Sequence, residues 1–495
     1  MTVPLDGAHV LATVPPPVLA ACRSLSAADH EVFLVGGAIR DLLLGRDAHD
    51  FDIATSARPE EVTRVFGRRH TIPTGAAHGT VTVVVEKEIA AAAGMRTNHL
   101  EVTTFRGEGA YADGRRPDAV VFLRDIVEDL RRRDFTINAM AIDPRGLALR
   151  PPVCTVVDPF GGRADLDAGI IRAVGDARSR FAEDGLRVMR AVRFAAQLGF
   201  ALDPETLAAI PAALQVFRRV SMERVRDELL KILASPRPSV GLRLMHQTGM
   251  LAEVIPELLE SVGCVQNRFH AHDVFDHTLH SVDTTPLGLG DPAAPSDPPD
   301  PIVRLATLLH DVAKPRTAAP KEDAPGEFSF FRHEHLGARM ADDICRRLKL
   351  SNKDRERVVA LVENHMFWYA PDWSDGAVRR FIGRVGEELL PDLFALRVGD
   401  VCGRGRGEDP EAEIAALKVR IAHELASQRA VKITDLVIDG GDVMRVLGRR
   451  PGPIVGVVLR RLLDRVLDDP SLNERATLEA MIPSVAQAED GPDAA

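Results

Sequence analysis

The stretch "FLVGGAIRDLLLGRDAHDFDIATS", residues 33–56, places a double glycine at the end of a short apolar run and closes on two aspartates one residue apart. With Glu31 and Val32 in front, "EVFLVGG" reads as a buried strand entering a glycine turn, and "AIRDLLLG" reads as a short helix leaving it. Gly36 and Gly37 then sit where strand becomes helix. The free N–H groups of the first helical turn point at whatever lies above them, which is a cradle for phosphate. Asp50 and Asp52 stand at i and i+2, so on an extended segment both carboxylates leave one face about 7 Å apart. They can share a hard cation such as Mg²⁺ with phosphate oxygens. A phosphate cradle beside paired carboxylates is the equipment of metal-assisted nucleotidyl transfer, with Asp50 and Asp52 as its catalytic pair.

The rest of the chain sets limits on that reading. At 495 residues it is too long for one ordinary core and is expected to fold as several bodies. Five cysteines (Cys22, Cys154, Cys264, Cys345 and Cys402) show no paired spacing, which fits a reducing cytoplasm. No apolar run reaches the roughly 18 residues of a membrane span. The net charge of -10 says little about nucleic acid, because a local patch decides such binding and Arg residues crowd between Arg106 and Arg193. Residues 31 to about 160 mix strand and helix signals, whereas helical periodicity dominates beyond Asp165. The segment 286–301, rich in Pro, Gly and Asp, is expected to be a mobile loop or linker, and 483–495 a disordered tail.

With Arg40 and Asp41 at fixed spacing behind the glycines, "LVGGAIRDLLLGRDAHDFDIAT" resembles the bacterial class II tRNA nucleotidyltransferases, the CCA-adding enzymes and their poly(A) polymerase relatives. The resemblance continues through "HGTVTVVV", "LEVTTFRGEGAYADGRRPDAVVF", "DLRRRDFTINAMAID", "FAEDGLRVMRAVRFAAQLGF" and "VSMERVRDELLKIL", in that order over residues 31 to about 235. It implies an α+β chain: a polymerase-β-like nucleotidyltransferase α/β head followed by an all-α neck, an HD-type helical domain and a helical tail. The expected boundaries are 1–30 for an N-terminal segment, 31–164 for the head, 165–260 for the neck, 261–410 for the HD-like domain and 411–482 for the tail. By the same resemblance Gly37, Arg40 and Arg133 face the nucleotide phosphates or sugar, and Asp134 and Asn138 lie near the ribose. Glu101 in "LEVTTF" is a candidate third carboxylate, or equally a buried strand glutamate paired with Arg.

In "EDGLRVMRAVR", Asp184 and Arg187 stand at i and i+3 on an expected helix, with Arg190 and Arg193 further along the same face. A carboxylate only accepts hydrogen bonds and a guanidinium only donates them. Such a pair can bind a base with an exocyclic amino group beside a ring-nitrogen acceptor, as cytosine and adenine have and uracil and guanine lack. An intrahelical Asp184–Arg187 ion pair is the plainer meaning of the same spacing. In the family this helix serves as an amino-acid template. The resemblance therefore implies CTP and ATP as substrates, tRNA as partner, and no role for a membrane or DNA. CCA addition, CC or A addition alone, and poly(A) synthesis all remain open products.

Downstream, "DVFDHTLHSVD", "LLHDVAKP", "FRHEHLGARMAD", "LVENHMFW" and "LRVGDVCGRG" supply imidazoles and carboxylates suited to a divalent metal. The set resembles the HD phosphohydrolase domain. That resemblance implies His277, His310, Asp311 and Asp400 as ligands of a second divalent ion, Mn, Ni or Mg, with His335 and His365 as further contacts. A rival of another class follows, an HD phosphodiesterase with an inactive RNA-binding head.

Overall fold

The computed structural model describes residues 2–75, 79–107, 121–123, 125–149, 151–286, 300–322, 324, 326–427 and 430–487. The expected loop 286–301 and the expected disordered tail therefore lie largely outside the described residues. The chain divides into two compact units, residues 1–254 and 255–495.

Unit 1 opens with β1 (Thr2–Asp6), α1 (Gly7–Thr13), α2 (Pro16–Ala27), β2 (Val32–Val35), α3 (Gly37–Leu43) and β3 (Asp52–Thr55). There follow α4 (Pro59–Phe66), β4 (Thr71–Gly75), β5 (Thr80–Val84), α5 (Lys87–Ala92) and β6 (His99–Thr104). A two-residue ribbon, β7 (Arg106–Gly107) with β8 (Val121–Phe122), then precedes α6 (Ile126–Arg131), β9 (Ala141–Ile142) and β10 (Val153–Val157). Eight strands form one sheet in the order β1-β10-β9-β2-β3-β6-β5-β4. The expected N-terminal segment thus contributes the edge strand. Only β3 and β6 run parallel in this sheet, with Ile53 opposite Val102. Alternation along β2 sends Phe33 and Val35 into one buried cluster with Phe105, Ile126 and Leu130, while Leu34 is fully buried on the other face.

The helical half of unit 1 comprises α7 (Gly162–Ala168), β11 (Ile170–Ile171), α8 (Ala177–Glu183), α9 (Leu186–Leu198), β12 (Ala201–Leu202), α10 (Pro204–Phe217), α11 (Met222–Leu233), α12 (Pro238–Gln247) and α13 (Leu251–Val254). Helix α9 is central: ten of its residues are buried, from Leu186 to Leu198.

Unit 2 carries α14 (Val274–Thr284), α15 (Pro301–Leu309), α16 (Lys314–Thr317), the ribbon β13 (Ala318–Pro320) and β14 (Phe328–Phe330), α17 (His333–Arg347), α18 (Asn352–Asn364), α19 (Asp375–Val385) and α20 (Leu390–Gly403). It ends with α21 (Glu411–Ala426), α22 (Gly440–Leu447), α23 (Pro453–Asp468) and α24 (Arg475–Gln487). The last three helices enclose a core of their own around Val443, Leu462 and Ile482. Helices α14 and α20 approach closely through small residues. A Cβ on Gly399 would fall 2.7 Å from the Ser281 carbonyl oxygen, and one on Gly403 would fall 2.8 Å from the Ser281 Cα. Gly403→Val is therefore expected to force the helices apart and cost about 1–3 kcal/mol, read as a lower denaturation midpoint.

Candidate functional site

In unit 1 the sheet and α9 line an open cleft of about 590 Å³. Its floor is the opening motif. Pairing of Val35 with Asp52 sets the aspartate beside the glycine turn. Gly36 has φ +90, and a Cβ there would meet the Asp52 carboxylate at 2.7 Å, so backbone conformation and space both require glycine. Asp50 is exposed and Phe51 buried, so the two aspartates turn away from the core together. The parallel register brings Glu101 beside Asp52, and both line the cleft. Glu101 is exposed, which removes the reading of a buried strand glutamate. Burial pushes the Asp52 carboxyl up to about 6; Arg133 opposes the rise, while Glu101 and Asp50 add to it. Arg133 is itself poorly satisfied, its Nε buried with no hydrogen-bond partner. Three crowded carboxylates beside such a guanidinium form a donor set that fits a divalent cation carrying phosphate.

Behind the floor runs a relay of side chains. Arg40 donates from Nε and Nη2 to both oxygens of Asp41 at 2.9 Å, and from Nη1 to Asn138 Oδ1 at 2.9 Å. Asn138 Nδ2 donates to Asp134 Oδ1 at 3.2 Å, and Arg190 Nε donates to Asp134 Oδ2 at 2.7 Å. Only this orientation of the Asn138 amide satisfies both neighbours. Burial alone would raise Asp134, yet Arg190 and the Asn138 amide hold it down at about 2. The ring of Phe194, edge-on to Phe135 at 5.7 Å, lies under three guanidiniums: Arg193 at 4.0 Å, Arg40 at 5.2 Å and Arg190 at 5.5 Å.

Asp184 departs from its expected place on the helix. It is the extended residue between α8 and α9, at an elbow pressed against α10: a Cβ on Gly185 would lie 2.6 Å from the Phe217 nitrogen. One Asp184 oxygen accepts from the Leu186 N–H at 3.0 Å and the other from Arg224 at 3.0 Å. Arg187 pairs with Glu183 and donates to the carbonyls of Arg180 and Arg132 at 2.8 and 2.9 Å. The direct Asp184–Arg187 ion pair does not form among the described residues. Both side chains line the cleft. Arg190 and Arg193, expected along the same reading face, are each tied to a carboxylate, Arg193 to Glu228 at 2.6 Å. Sequence reasoning missed Phe194, Arg224 and Glu228. The signal for the last two was an Arg and a Glu one helical turn apart in "MERVRDELL", which names no partner some 40 residues away.

In unit 2, His277, His310, Asp311 and Asp400 converge. His277 Nε2 lies 3.4 Å from both Asp311 Oδ2 and Asp400 Oδ1, and His310 Nε2 lies 3.2 Å from Asp311 Oδ2. The other Asp311 oxygen faces His333 Nε2 at 3.3 Å and His365 Nε2 at 3.8 Å. His333 rather than His335 completes this side, for His335 is more than half exposed and pairs with Glu334 and Glu363. Nδ1 of His310, His333 and His365 lies 2.7–2.8 Å from the carbonyls of Thr307, Phe330 and Val362, which accept its N–H and leave each Nε2 a lone pair. The Nε2 atoms meet at 3.3 Å (His277 and His310) and 3.2 Å (His333 and His365), the latter a crowding of two lone pairs that a cation relieves. Burial pushes His365 down to about 3 and keeps it neutral. Burial also disfavours the Asp311 charge, but His310 and Lys314 hold the carboxyl well below its usual range. The donor set fits a transition metal on either side of Asp311.

Residues 32–172 match the poly A polymerase head domain, 199–261 the probable RNA and SrmB-binding site of polymerase A, and 289–405 the HD domain. The CCA-adding enzyme of Lactobacillus johnsonii is 46% identical over 232 residues, 47% of this chain and 53% of that one. The CCA-adding enzyme of Geobacillus thermodenitrificans is 47% identical over 238 residues, 48% of this chain and 54% of that one. The chain thus spans about half the length of the curated relatives it matches. Beyond the poly A polymerase head, likeness extends through the fold. The crystal structure of the Bacillus stearothermophilus CCA-adding enzyme in complex with CTP superposes over 96% of this chain and 99% of that one, with TM-score 0.69 and 29% identity. The Thermotoga maritima CCA-adding enzyme complexed with tRNA shares the fold at TM-score 0.57 and 19% identity, over 98% and 100% of the two chains. No single helix among the described residues is long and apolar enough to cross a membrane.

The relay predicts its own pH dependence. Asp134 is depressed in the folded state, so its contribution is full above about pH 4, the unfolded value, and is lost as pH falls through about 2. Asp134→Ala is expected to cost about 2–3 kcal/mol in denaturant titrations at pH 7, less than a fully buried pair because Arg190 is a third exposed.

Proposed function

We propose that the chain is a template-independent tRNA nucleotidyltransferase that adds or restores the 3′-terminal CCA of tRNA from CTP and ATP. One observation carries this reading: a single cleft holds crowded carboxylates, a buried guanidinium with an unpartnered Nε, and an acceptor and a donor at the Asp184 elbow. The CCA-adding relatives and the CTP complex of the structural neighbour support it.

Asp50 and Asp52, with Glu101, would hold Mg²⁺. When bound there the ion supplies the charge that makes a hydroxyl nucleophilic and steadies departing pyrophosphate. The 3′ oxygen of tRNA forms a bond to the α-phosphorus while the bond to pyrophosphate breaks. Gly36, Gly37, Arg40 and Arg133 face the triphosphate, and Asp41 holds Arg40 in place. Asp134 and Asn138 flank the ribose. Asp184 accepts from the exocyclic amino group of cytosine or adenine, and Arg187 donates to the ring nitrogen. Uracil and guanine present a carbonyl and a ring N–H there instead, which meet the carboxylate and the guanidinium with the wrong polarity and so exclude UTP and GTP. Residues 31–164 then carry transfer, 165–260 selection and 411–482 the grip on tRNA. Residues 261–410 form a phosphohydrolase site whose His277, His310, Asp311 and Asp400 hold Mn, Ni or Mg.

The deciding experiment is extension of a tRNA transcript ending at its discriminator base, with Mg²⁺ and each nucleotide singly and then CTP with ATP. Addition of C, C and A followed by a stop is the expected result; long A tails would make it a poly(A) polymerase, and C alone or A alone a partial enzyme. Asp52→Asn is expected to lower extension by at least about 10³-fold and to spare phosphoester hydrolysis, with Asp311→Asn doing the reverse. Because Mg²⁺ must displace a proton from Asp52, ion affinity should fall about tenfold per pH unit below about 6. Calorimetric titration of Mg²⁺ at pH 5 and 7 checks this, and Asp52→Asn should flatten the dependence.

A further inference from the structure

Both tryptophans of the chain, Trp368 and Trp373, line one groove of about 900 Å³ in unit 2, between α19 and α23. The segment between α18 and α19 alternates in burial. Met366 is 55% exposed, Phe367 8%, Trp368 69% and Tyr369 7%. Phe367 packs on Phe381 and Phe394 with ring centroids 5.1 and 6.3 Å apart, and Tyr369 meets Trp373 edge-on at 5.5 Å. Buried neighbours on each side thus fix the backbone that holds Trp368 outward. A large ring kept in water by a rigid mount is a platform awaiting a partner.

The partner's chemistry follows from what else lines the groove. Arg380, Arg384, Lys432 and Arg460 face it against one carboxylate, Asp464. Arg380 is paired with Asp468, but Arg384, Lys432 and Arg460 form no ion pair among the described residues. An exposed aromatic face amid unpaired cations suits a chain of phosphates bearing unstacked bases. An apolar protein segment would leave the three cations uncompensated. The RNA-binding region of the polymerase A family matches residues 199–261 and so does not include this groove.

We infer that the groove between α19 and α23 is a single-stranded RNA site, in which Trp368 stacks an unpaired base and Arg384, Lys432 and Arg460 hold the flanking phosphates. This rests on the tRNA reading above and names a place in unit 2 where the substrate is gripped, built from residues other than those that line the nucleotide cleft.

The test uses the full chain, a tRNA transcript and a twelve-nucleotide oligouridylate. Trp373→Phe leaves Trp368 as the sole tryptophan, and its fluorescence is expected to quench as either RNA is added. Trp368→Ala should weaken binding of the transcript about 5- to 150-fold, the range one stacked base supplies, while Trp368→Phe restores most of it. Alanine at Arg384, Lys432 or Arg460 should each lower the slope of log affinity against log salt by roughly 0.7–0.9. Unchanged affinity in Trp368→Ala, with unquenched fluorescence, would overturn the inference even where CCA addition proceeds normally. Quenching with no nucleotide addition under any condition would uphold the groove and sink the transferase reading instead. Self-association that Trp368→Ala abolishes, without effect on RNA, would assign the face to a second copy and likewise overturn the RNA site.

Discussion

Unit 1 depends on a hydrogen-bonded run from Asp41 through Arg40, Asn138 and Asp134 to Arg190, buried in its middle and partly exposed at its two ends. Its members come from three separate stretches of chain: the helix after the glycine turn, the segment preceding β9, and α9. Each hydrogen bond is modest in water, but in a cleft of low dielectric an unmade one leaves a charge uncompensated, so the run forms as a whole or not at all. The glycine turn with α3 and the base of α9, to which the proposal gives phosphate and base, are thereby fixed to one another before any ligand arrives. Phe194 adds a flat apolar surface on which three guanidiniums gather without touching. Such an arrangement concentrates positive charge where a triphosphate would lie and requires no reorganisation to receive it.

The opening motif was legible in the sequence because its causes are local. An apolar run into two glycines makes strand, turn and helix, and alternation alone puts Asp50 and Asp52 on one side of Phe51. The HD-like candidates His277, His310, Asp311 and Asp400 came from resemblance, and they converge in space. What sequence missed is what depends on distant pairing. Helical spacing alone places Asp184 with Arg187, but the chain is extended at Asp184, where Gly185 leaves room for α10, and Arg224 from α11 claims the carboxylate. The choice of His333 over His335 turns on which side of one helical turn faces Asp311, and Arg332 with φ 59 starts that helix from the left-handed region. Two histidines separated by one residue point in different directions on a helix, so spacing could name the pair but not the member that serves.

The two constellations differ in how they tolerate charge. In the cleft an excess of guanidinium faces outward and Asp52 sits with its proton affinity raised, a state suited to ligands that come and go. Around Asp311 three imidazoles, those of His310, His333 and His365, are held in one tautomer by backbone carbonyls, and Arg397 donates to the outer oxygen of Asp400 at 2.8 Å. Most donors there have their orientation set from behind, an arrangement suited to a resident ion.

Gly399 and Gly403 bring a further consequence for how this chain can change over generations. They flank Asp400 on α20 and seat it against the α14 residues around His277, so ligand spacing and helix packing are set by the same close approach. If the phosphohydrolase proposal holds, a lineage that ceased to need hydrolysis could exchange His277 and Asp400 together for apolar residues, whereas either glycine would remain under selection for packing alone. Descent should therefore erase the chemistry first and leave the scaffold's imprint behind, so that glycines outlasting their histidines would mark a hydrolase that has been retired.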